Sequence, residues 1–198
     1  MSRDSRDKII PCAAAGCLLE SVRRSIGGEV AIQTFDNFRP VEGATRALNY
    51  ARRLASLESN FKWLLIYGPT GNGKSHLANA IAREVRETGV DVRVVLAADF
   101  FSLLKEGISS NRTEEIMRRF KDLDFLIIDD YGVEYGSDWE RAKFDELMTA
   151  RYAHHRHTVL TTNADVGDMP ARILSRFNDR NLSRAVANSA PDYRKTKR

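Results

Sequence analysis

The chain has 198 residues, 42% of them hydrophobic and 29% charged, which is the composition of a globular protein with a hydrophobic core. No apolar run approaches the length of a membrane span, and the start lacks a signal-peptide pattern, so we expect a cytoplasmic protein with no membrane partner. The net charge of +4 and the isoelectric point of about 9.2 permit nucleic-acid binding without demonstrating it.

We divide the chain into an N-terminal extension, residues 1–30, and one main domain, residues 31–198. The extension contains Cys12 and Cys17, too few cysteines for a disulfide framework. They are either half of a zinc site or two ordinary small side chains, and no second ligand pair is visible nearby. A helix is predicted over residues 18–26.

The main domain opens with the aromatic turn Thr34–Phe38, followed by a helix predicted from Gly43 to Ser56. Two interpretations of Phe35 and Phe38 are equally good at this point. Their rings either form a wall of an adenine pocket or anchor the turn to the core.

The next stretch fits G-x-x-x-x-G-K-[ST] at every fixed position. An apolar strand, Trp63–Tyr67, precedes it, and a helix is predicted after it from His76 to Val85. Glycines let the backbone wrap a phosphate, and the helix N-terminus adds positive potential. The pattern predicts a nucleotide phosphate site, with Lys74 on the β- and γ-phosphates and Ser75 on Mg²⁺. The nucleotide-binding residues would be Gly68, Pro69, Thr70, Gly71, Asn72, Gly73, Lys74, Ser75 and His76.

A second strand is predicted at Val92–Leu96. After it, Asp99 is expected to cap a short helix from Phe100 to Lys105 that Gly107 ends. A further helix is predicted to begin within residues 111–114.

The run Phe125–Asp130 is a continuous apolar strand that ends in two acids, as expected of a buried parallel strand. Its carboxylates would lie at the carboxyl edge of the sheet, where open α/β sheets bind ligands. We predict that Asp129 holds Mg²⁺ and that Asp130 polarises the attacking water. The alternative is that the two acids only open a turn.

Ser137 and Glu140 form a capping-box pattern that predicts a helix to about Ala153. Strands are predicted at residues 158–163 and 182–186, on either side of a helix that contains Arg172 and Arg176. His154, His155 and His157 are interpreted as surface residues. The alternation of strands and helices predicts an α/β domain with a parallel sheet covered on both faces.

Together these motifs resemble the AAA+ ATPases, and within them the DnaC/DnaI-type helicase loaders and the similar IstB-type transposition ATPases. The resemblance implies a P-loop NTPase fold, a three-layer α/β/α sandwich with a five-stranded parallel sheet. The sequence departs from the family in one respect: we expect the full helical lid to be lacking, because too little chain follows Arg176. The segments that carry the resemblance are Thr34–Phe38, Gly68–Ser75, Leu126–Gly132, Thr161–Asn163, Arg172–Phe177 and Asp192–Arg194.

The resemblance assigns further roles. Asn163 is similar to the sensor-1 residue, and Arg176 to the arginine finger that acts on ATP bound to a neighbouring subunit. Arg194 stands where loaders carry a sensor-2 arginine. The segment 99–119 resembles the insertion that lines the single-stranded DNA path, with DNA contacts expected at Ile108, Ser137 and an exposed Trp139. Ser137 fits a helix cap at least as well.

The function implied is that of an ATP-dependent helicase loader that uses ATP/ADP and Mg²⁺, binds single-stranded DNA and a replicative helicase, and assembles head to tail. The alternatives are a transposition ATPase on double-stranded DNA and an ATP-gated adaptor that barely hydrolyses. Asp130 stands where the wider family has Glu, so slow hydrolysis is expected. Arg176 has Arg172 and Arg180 four residues to either side and no acid in its own helix, so we expect its anion to come from another subunit.

Overall fold

The computed structural model describes residues 33–132 and 136–196, apart from the side chains of Arg194 and Thr196. The predictions for Cys12, Cys17 and the helix at 18–26 lie outside these residues. No helix within the described ranges is long and apolar enough to cross a membrane. The elements are α1 (Thr45–Ala55), β1 (Trp63–Tyr67), α2 (Lys74–Glu87), β2 (Val92–Leu96), α3 (Ala97–Ser109), α4 (Thr113–Asp122), β3 (Phe125–Asp129), α5 (Asp138–Ala153), β4 (His157–Thr162), a 3₁₀ turn (Val166–Asp168), α6 (Ala171–Phe177), β5 (Ser183–Ala187) and α7 (Tyr193–Thr196).

The five strands form one parallel sheet in the order β2-β3-β4-β1-β5. This order confirms the predicted α/β fold with a five-stranded parallel sheet. It places β1 between β4 and β5, and β3 next to β4, so the carboxyl ends of β1, β4 and β3 lie side by side. The phosphate loop, the pair Asp129–Asp130 and Asn163 lie at or just after the carboxyl ends of these three strands.

Helices cover both faces of the sheet, as the three-layer prediction required. Successive strand side chains point to opposite faces. Leu64 and Ile66 of β1 therefore belong to a core cluster shared with α1 and α2. Trp63 and Leu65 belong to a second cluster, shared with helices α3 to α6.

Helix α3 is longer than predicted. It begins at Ala97, so Asp99 lies in its first turn rather than capping it, and it runs through Gly107 to Ser109. Gly107 is buried against α4, where an added Cβ would lie 2.9 Å from Ile116 Cδ1 and 3.0 Å from the Thr113 nitrogen. The prediction of a helix end at Gly107 was wrong because the glycine serves the close approach of two helices.

His157 is not a simple surface residue. Its ring is half-buried and stacks on Phe125 with 5.2 Å between ring centroids and 4° between planes. Burial lowers the pKa of His157 to about 4. The surface interpretation is correct for His154 and His155, which are exposed.

Candidate functional site

The phosphate loop joins β1 to α2 in a conformation that requires glycine. Gly68 has a φ of 137° and Gly73 a φ of 92°, both in the region that other residues rarely adopt. A Cβ at Gly68 would lie 2.2 Å from the Asn188 carbonyl oxygen, and one at Gly73 would lie 2.8 Å from Cε2 of Phe38. The loop is therefore packed too closely against its neighbours for side chains at these positions.

Lys74 lies under this loop and is only 5% exposed. Its Nζ donates to the carbonyl oxygens of Gly68 and Pro69, both at 2.8 Å, and to Asn72 Oδ1 at 3.1 Å. Burial lowers the pKa of Lys74 to about 8, while the negative charges of Asp130 and Asp129 act in the opposite direction. The phosphate loop therefore surrounds the buried ammonium group of Lys74, which is bonded to the carbonyl oxygens at the start of the loop.

The two acids after β3 are connected through Thr161 on the neighbouring strand β4. The Thr161 hydroxyl donates to Asp129 Oδ1 and accepts the backbone N–H of Asp130 at 2.9 Å. Burial raises the pKa of the Asp129 carboxyl, and hydrogen bonds from Thr161 and Ser75 lower it. Ser75 lies close enough to Asp129 to act on the pKa of its carboxyl, so the two predicted Mg²⁺ ligands lie near each other. A hydroxyl and a carboxylate are oxygen ligands of the kind that Mg²⁺ takes.

Asp130 turns away from the sheet with a φ of 56°, an unusual backbone conformation for a residue other than glycine. Its Oδ1 accepts a hydrogen bond from Asn163 Nδ2 at 2.5 Å. The structure therefore brings together Lys74, Ser75, Asp129, Asp130 and Asn163 at the carboxyl edge of the sheet. A buried cation, two carboxylates and an oriented amide beside an anion-binding loop are suited to phosphoryl transfer.

Residues 31–188 match the family model described as IstB-like ATP binding protein. The chain belongs to this family. The description of the family names ATP as the bound nucleotide, and the geometry of the phosphate loop suits it.

One similar protein is the replicative helicase loader DnaC of Escherichia coli (strain K12). It is 30% identical over 151 residues, which cover 74% of this chain and 62% of DnaC, so the chain spans about three fifths of the relative's length. A crystal structure of the DnaC helicase loader superposes with a TM-score of 0.70 at 22% identity, over 79% of this chain and 97% of that one. The structure of the replication initiator DnaA bound to AMPPCP and single-stranded DNA superposes with a TM-score of 0.72 at 22% identity, over 80% of this chain and 50% of that one. These structures confirm the predicted AAA+ P-loop fold.

The aromatic turn of this IstB-like domain is anchored to the core. Phe35 is 8% exposed and Phe38 is 5% exposed. The ring centroid of Phe38 lies 5.1 Å from that of His76 and 6.2 Å from that of Tyr193, and His76 Nε2 lies 2.8 Å from the Thr34 carbonyl oxygen. The anchoring interpretation is confirmed, and contact with an adenine base stays a prediction.

Arg176 has an acid partner within its own subunit, contrary to our expectation. Its Nη1 donates to Asp145 Oδ1 at 2.9 Å and to the Arg172 carbonyl oxygen at 2.8 Å, and its Nη2 donates to Thr149 Oγ1. Arg172 reaches the other oxygen of Asp145 at 3.3 Å. Arg180 lies beyond the end of α6, so the helix carries two arginines and not three.

The three residues expected to contact DNA differ in exposure. Ile108 near the end of α3 is 58% exposed. Ser137 forms the predicted capping box with Glu140, whose N–H donates to Ser137 Oγ at 3.2 Å. Trp139 is half-buried against the second core cluster, so the expectation of an exposed ring was wrong. An ion pair of 2.8 Å between Lys105 and Glu140 joins α3 to the start of α5.

The segment after β5 also contacts the phosphate loop. Asn72 and Asn188 are fully buried and bonded reciprocally: each side-chain amide donates to the other's backbone carbonyl, at 2.8 Å for Asn188 Nδ2. The Tyr193 N–H donates to the Gly71 carbonyl oxygen at 3.0 Å. Sequence reasoning gave no role to Asn188, Thr161 or Asp145. Arg194 lies in α7, and its side chain is outside the described part of the chain.

Proposed function

We propose that this protein is an ATPase of DNA replication that assists or loads a replicative helicase. One observation carries the proposal: the hydrogen-bonded row Asp129–Thr161–Asp130–Asn163 lies beside a complete phosphate loop. In such a row the proposed metal ligand, Asp129, would stand beside the proposed water-activating carboxylate, Asp130. The similarity to DnaC supports the role in replication.

The phosphate loop, residues 68–75, would hold the phosphates through its backbone N–H groups. Lys74 would exchange its bonds to loop carbonyls for the β- and γ-phosphates. Mg²⁺, when bound, neutralises phosphate charge, and Ser75 and Asp129 are the residues that would hold it. His76, Phe35, Phe38 and Arg194 complete the proposed nucleotide site.

Asp130 is the proposed acceptor of a proton from the attacking water, and Asn163 orients its carboxylate through the bond at 2.5 Å. Compared with Glu, Asp draws the carboxylate back by one C–C bond, about 1.5 Å. We therefore expect turnover to be slow.

Arg176 is proposed to act on ATP held by a neighbouring subunit, which makes assembly head to tail a requirement for turnover. The proposed path for single-stranded DNA runs along α3 and α4, with contacts at Ile108, Ser137 and Trp139. The DnaA structure with single-stranded DNA supports this assignment through its shared fold alone.

A transposition ATPase that acts on double-stranded DNA is the second candidate, because the family model is described as IstB-like. A pull-down of protein partners in ATP and in ADP separates the two candidates. Recovery of a hexameric helicase favours the loader, and recovery of a transposase favours the alternative.

The test of the site compares ATP binding and turnover in three proteins. Lys74→Ala should lose nucleotide binding, and Asp130→Asn should bind ATP normally and hydrolyse it far more slowly. The wild-type rate per subunit should rise with protein concentration. Normal hydrolysis by Asp130→Asn would show that the role given to this carboxylate is wrong, and wild-type binding without turnover would leave the adaptor alternative in its place.

The shared site has its own test. Arg176→Ala and Lys74→Ala are each expected to be inactive, the first for want of the guanidinium and the second for want of bound ATP. Mixed together they should recover part of the activity, because each subunit supplies what the other lacks. If activity per subunit stays flat on dilution and the mixture stays inactive, Arg176 has no role between subunits.

A further inference from the structure

Asp130, the proposed water-activating acid, has a backbone conformation that its surroundings must enforce. Its φ of 56° lies in the left-handed region, which residues other than glycine seldom adopt and which persists only where neighbouring contacts hold it. The bond from its N–H to the Thr161 hydroxyl is one such contact. The next residue along the chain, Tyr131, supplies the others.

Tyr131 is fixed through its backbone. Its N–H donates to the Thr161 carbonyl oxygen at 2.8 Å, and its carbonyl oxygen accepts a hydrogen bond from the Thr162 hydroxyl. Both backbone polar groups of Tyr131 are therefore joined to the end of β4. Because the carboxylate of Asp129 is also bonded to β4, the left-handed residue Asp130 is held on both sides.

The side chain of Tyr131 ties this turn to helix α5. It is 3% exposed, and its ring stacks on that of Phe144 with 4.4 Å between ring centroids and 13° between planes. Stacked aromatic pairs are stabilised beyond the area that they bury. Phe144 is fully buried and is followed by Asp145, which bonds to Arg176. Helix α5 therefore contacts both the turn that carries the acid and the proposed arginine finger.

The hydroxyl of Tyr131 is unsuited to proton transfer. Burial raises the pKa of Tyr131 to about 12, although the positive charge of Arg141 acts in the opposite direction. A hydroxyl with this pKa stays protonated and neutral at physiological pH. Any contribution of Tyr131 to hydrolysis therefore comes through the acid beside it.

We infer that Tyr131 is a positioning residue for hydrolysis, which holds Asp130 in its left-handed conformation and sets the place of this acid relative to α5. The inference rests on the proposed role of Asp130 in activating water. Without the stacked ring, fewer contacts enforce the left-handed residue. The Asp130 carboxylate then leaves the position in which Asn163 bonds to it.

Turnover and ATP affinity test this role in Tyr131→Leu, which removes the ring and stays apolar. We expect turnover to fall about ten- to a hundredfold with ATP affinity unchanged, because small displacements of a reacting group have effects of this size. Tyr131→Phe keeps the stacked ring and should retain most activity. The control for lost core packing is Phe61→Leu, which changes a fully buried ring of the other core cluster and should hydrolyse ATP normally.

A second comparison separates positioning from a general loss of structure. In an Asp130→Asn background, Tyr131→Leu should slow turnover by about twofold at most, because the acid that it positions is already absent. A further ten- to hundredfold loss in that background would overturn the inference. So would equal losses of turnover in Tyr131→Leu and Phe61→Leu.

Amide hydrogen exchange gives a readout that does not depend on turnover. In Tyr131→Leu the Asp130 N–H, bonded to Thr161 at 2.9 Å, should exchange about tenfold faster, while the amides of β1 keep their wild-type rates. Unchanged exchange at Asp130 would show that Tyr131 does not hold it. A wild-type protein that never hydrolyses ATP would refute the proposed function, and exchange would still decide the role of Tyr131. Phe144→Leu removes the other ring of the stack, should give the same pattern, and replaces Tyr131→Leu if urea unfolding shows that variant to be unfolded.

Discussion

At the scale of single residues, the hydroxyl of Thr161 positions both acids of the candidate site, Asp129 and Asp130. It donates to Asp129 and accepts from the Asp130 backbone. Thr161→Val keeps the shape but removes the donor to the buried Asp129 carboxylate and the acceptor of the part-buried Asp130 N–H, which costs about 1–3 kcal/mol. We expect turnover to fall about five- to a hundredfold with little change in ATP affinity. Thr161→Ser keeps the hydroxyl and should retain most activity. Normal turnover by Thr161→Val would show that Asp129 and Asp130 keep their positions without this hydroxyl.

Asp145 is a positioning residue for the proposed arginine finger, because one carboxylate holds Arg176 at 2.9 Å and Arg172 at 3.3 Å. Asp145→Asn should lower turnover about tenfold, equivalent to about 1.4 kcal/mol, with ATP affinity unchanged. Asp145→Glu should recover part of the loss. The control is Asp138→Asn, an exposed acid of the same helix that pairs with Arg141.

The effect should also appear between subunits. Lys74→Ala that also carries Asp145→Asn should rescue Arg176→Ala about tenfold less well than Lys74→Ala does, in line with the same lost 1.4 kcal/mol. Equal rescue would mean that Asp145 only stabilises its own subunit.

Which residues could be predicted depended on their distance along the chain. The phosphate loop and the pair Asp129–Asp130 are contiguous motifs, so the sequence alone located them. Asp145 lies 31 residues from Arg176, and Asn188 lies 116 from Asn72. No local pattern connects such pairs, and only the fold brings them into contact.

At the scale of elements, strands were predicted more accurately than helices. Each strand is five or six residues long, and predicted and observed limits agree to within one residue. The end of helix α3 was predicted wrongly because Gly107 was interpreted from its neighbours in sequence, as a helix end. In the structure its missing side chain lets α4 pack closely, a property that depends on a second helix.

His157, the first residue of β4, should make the free energy of unfolding depend on pH. The folded pKa of His157 is about 4, below its ordinary value of 6.5. As pH falls below about 6.5, the unfolded chain binds a proton at His157 that the folded chain does not. The free energy of unfolding therefore decreases from pH 6.5 to pH 4, and the contribution of His157 is fully present above pH 6.5. For a half-buried ring we expect a loss of about 1 kcal/mol between pH 7 and pH 5.

Urea unfolding at the two pH values measures this loss. His157→Phe keeps a ring to stack on Phe125 and should remove the dependence. His154→Gln, which changes an exposed residue, should not. The same loss in wild type and His157→Phe would assign the dependence to other groups.

At the scale of the whole molecule, segments from both ends of the described chain meet at the phosphate loop. Phe38 lies against Gly73, Asn188 against Gly68, and Tyr193 binds Gly71 through its backbone N–H and the Arg39 carbonyl through its hydroxyl. The loop's conformation therefore depends on the completed fold. A motif that can be identified from eight residues is held in place by residues more than a hundred positions away.

This dependence predicts that a change after β5 weakens nucleotide binding. Asn188→Ala removes the amide that donates to the Asn72 backbone carbonyl at 2.8 Å and the side-chain oxygen that accepts from the Ala190 N–H at 3.2 Å. Leaving a buried polar group unpaired costs about 1–3 kcal/mol, so we expect a loss of stability of that size and ATP affinity about tenfold weaker. The control is Asn178→Ala, an exposed asparagine after α6. Fluorescent-nucleotide titration and urea unfolding on the same samples separate the two effects. If Asn188→Ala lost stability but bound ATP as tightly as the control, the contact would support the fold without shaping the loop.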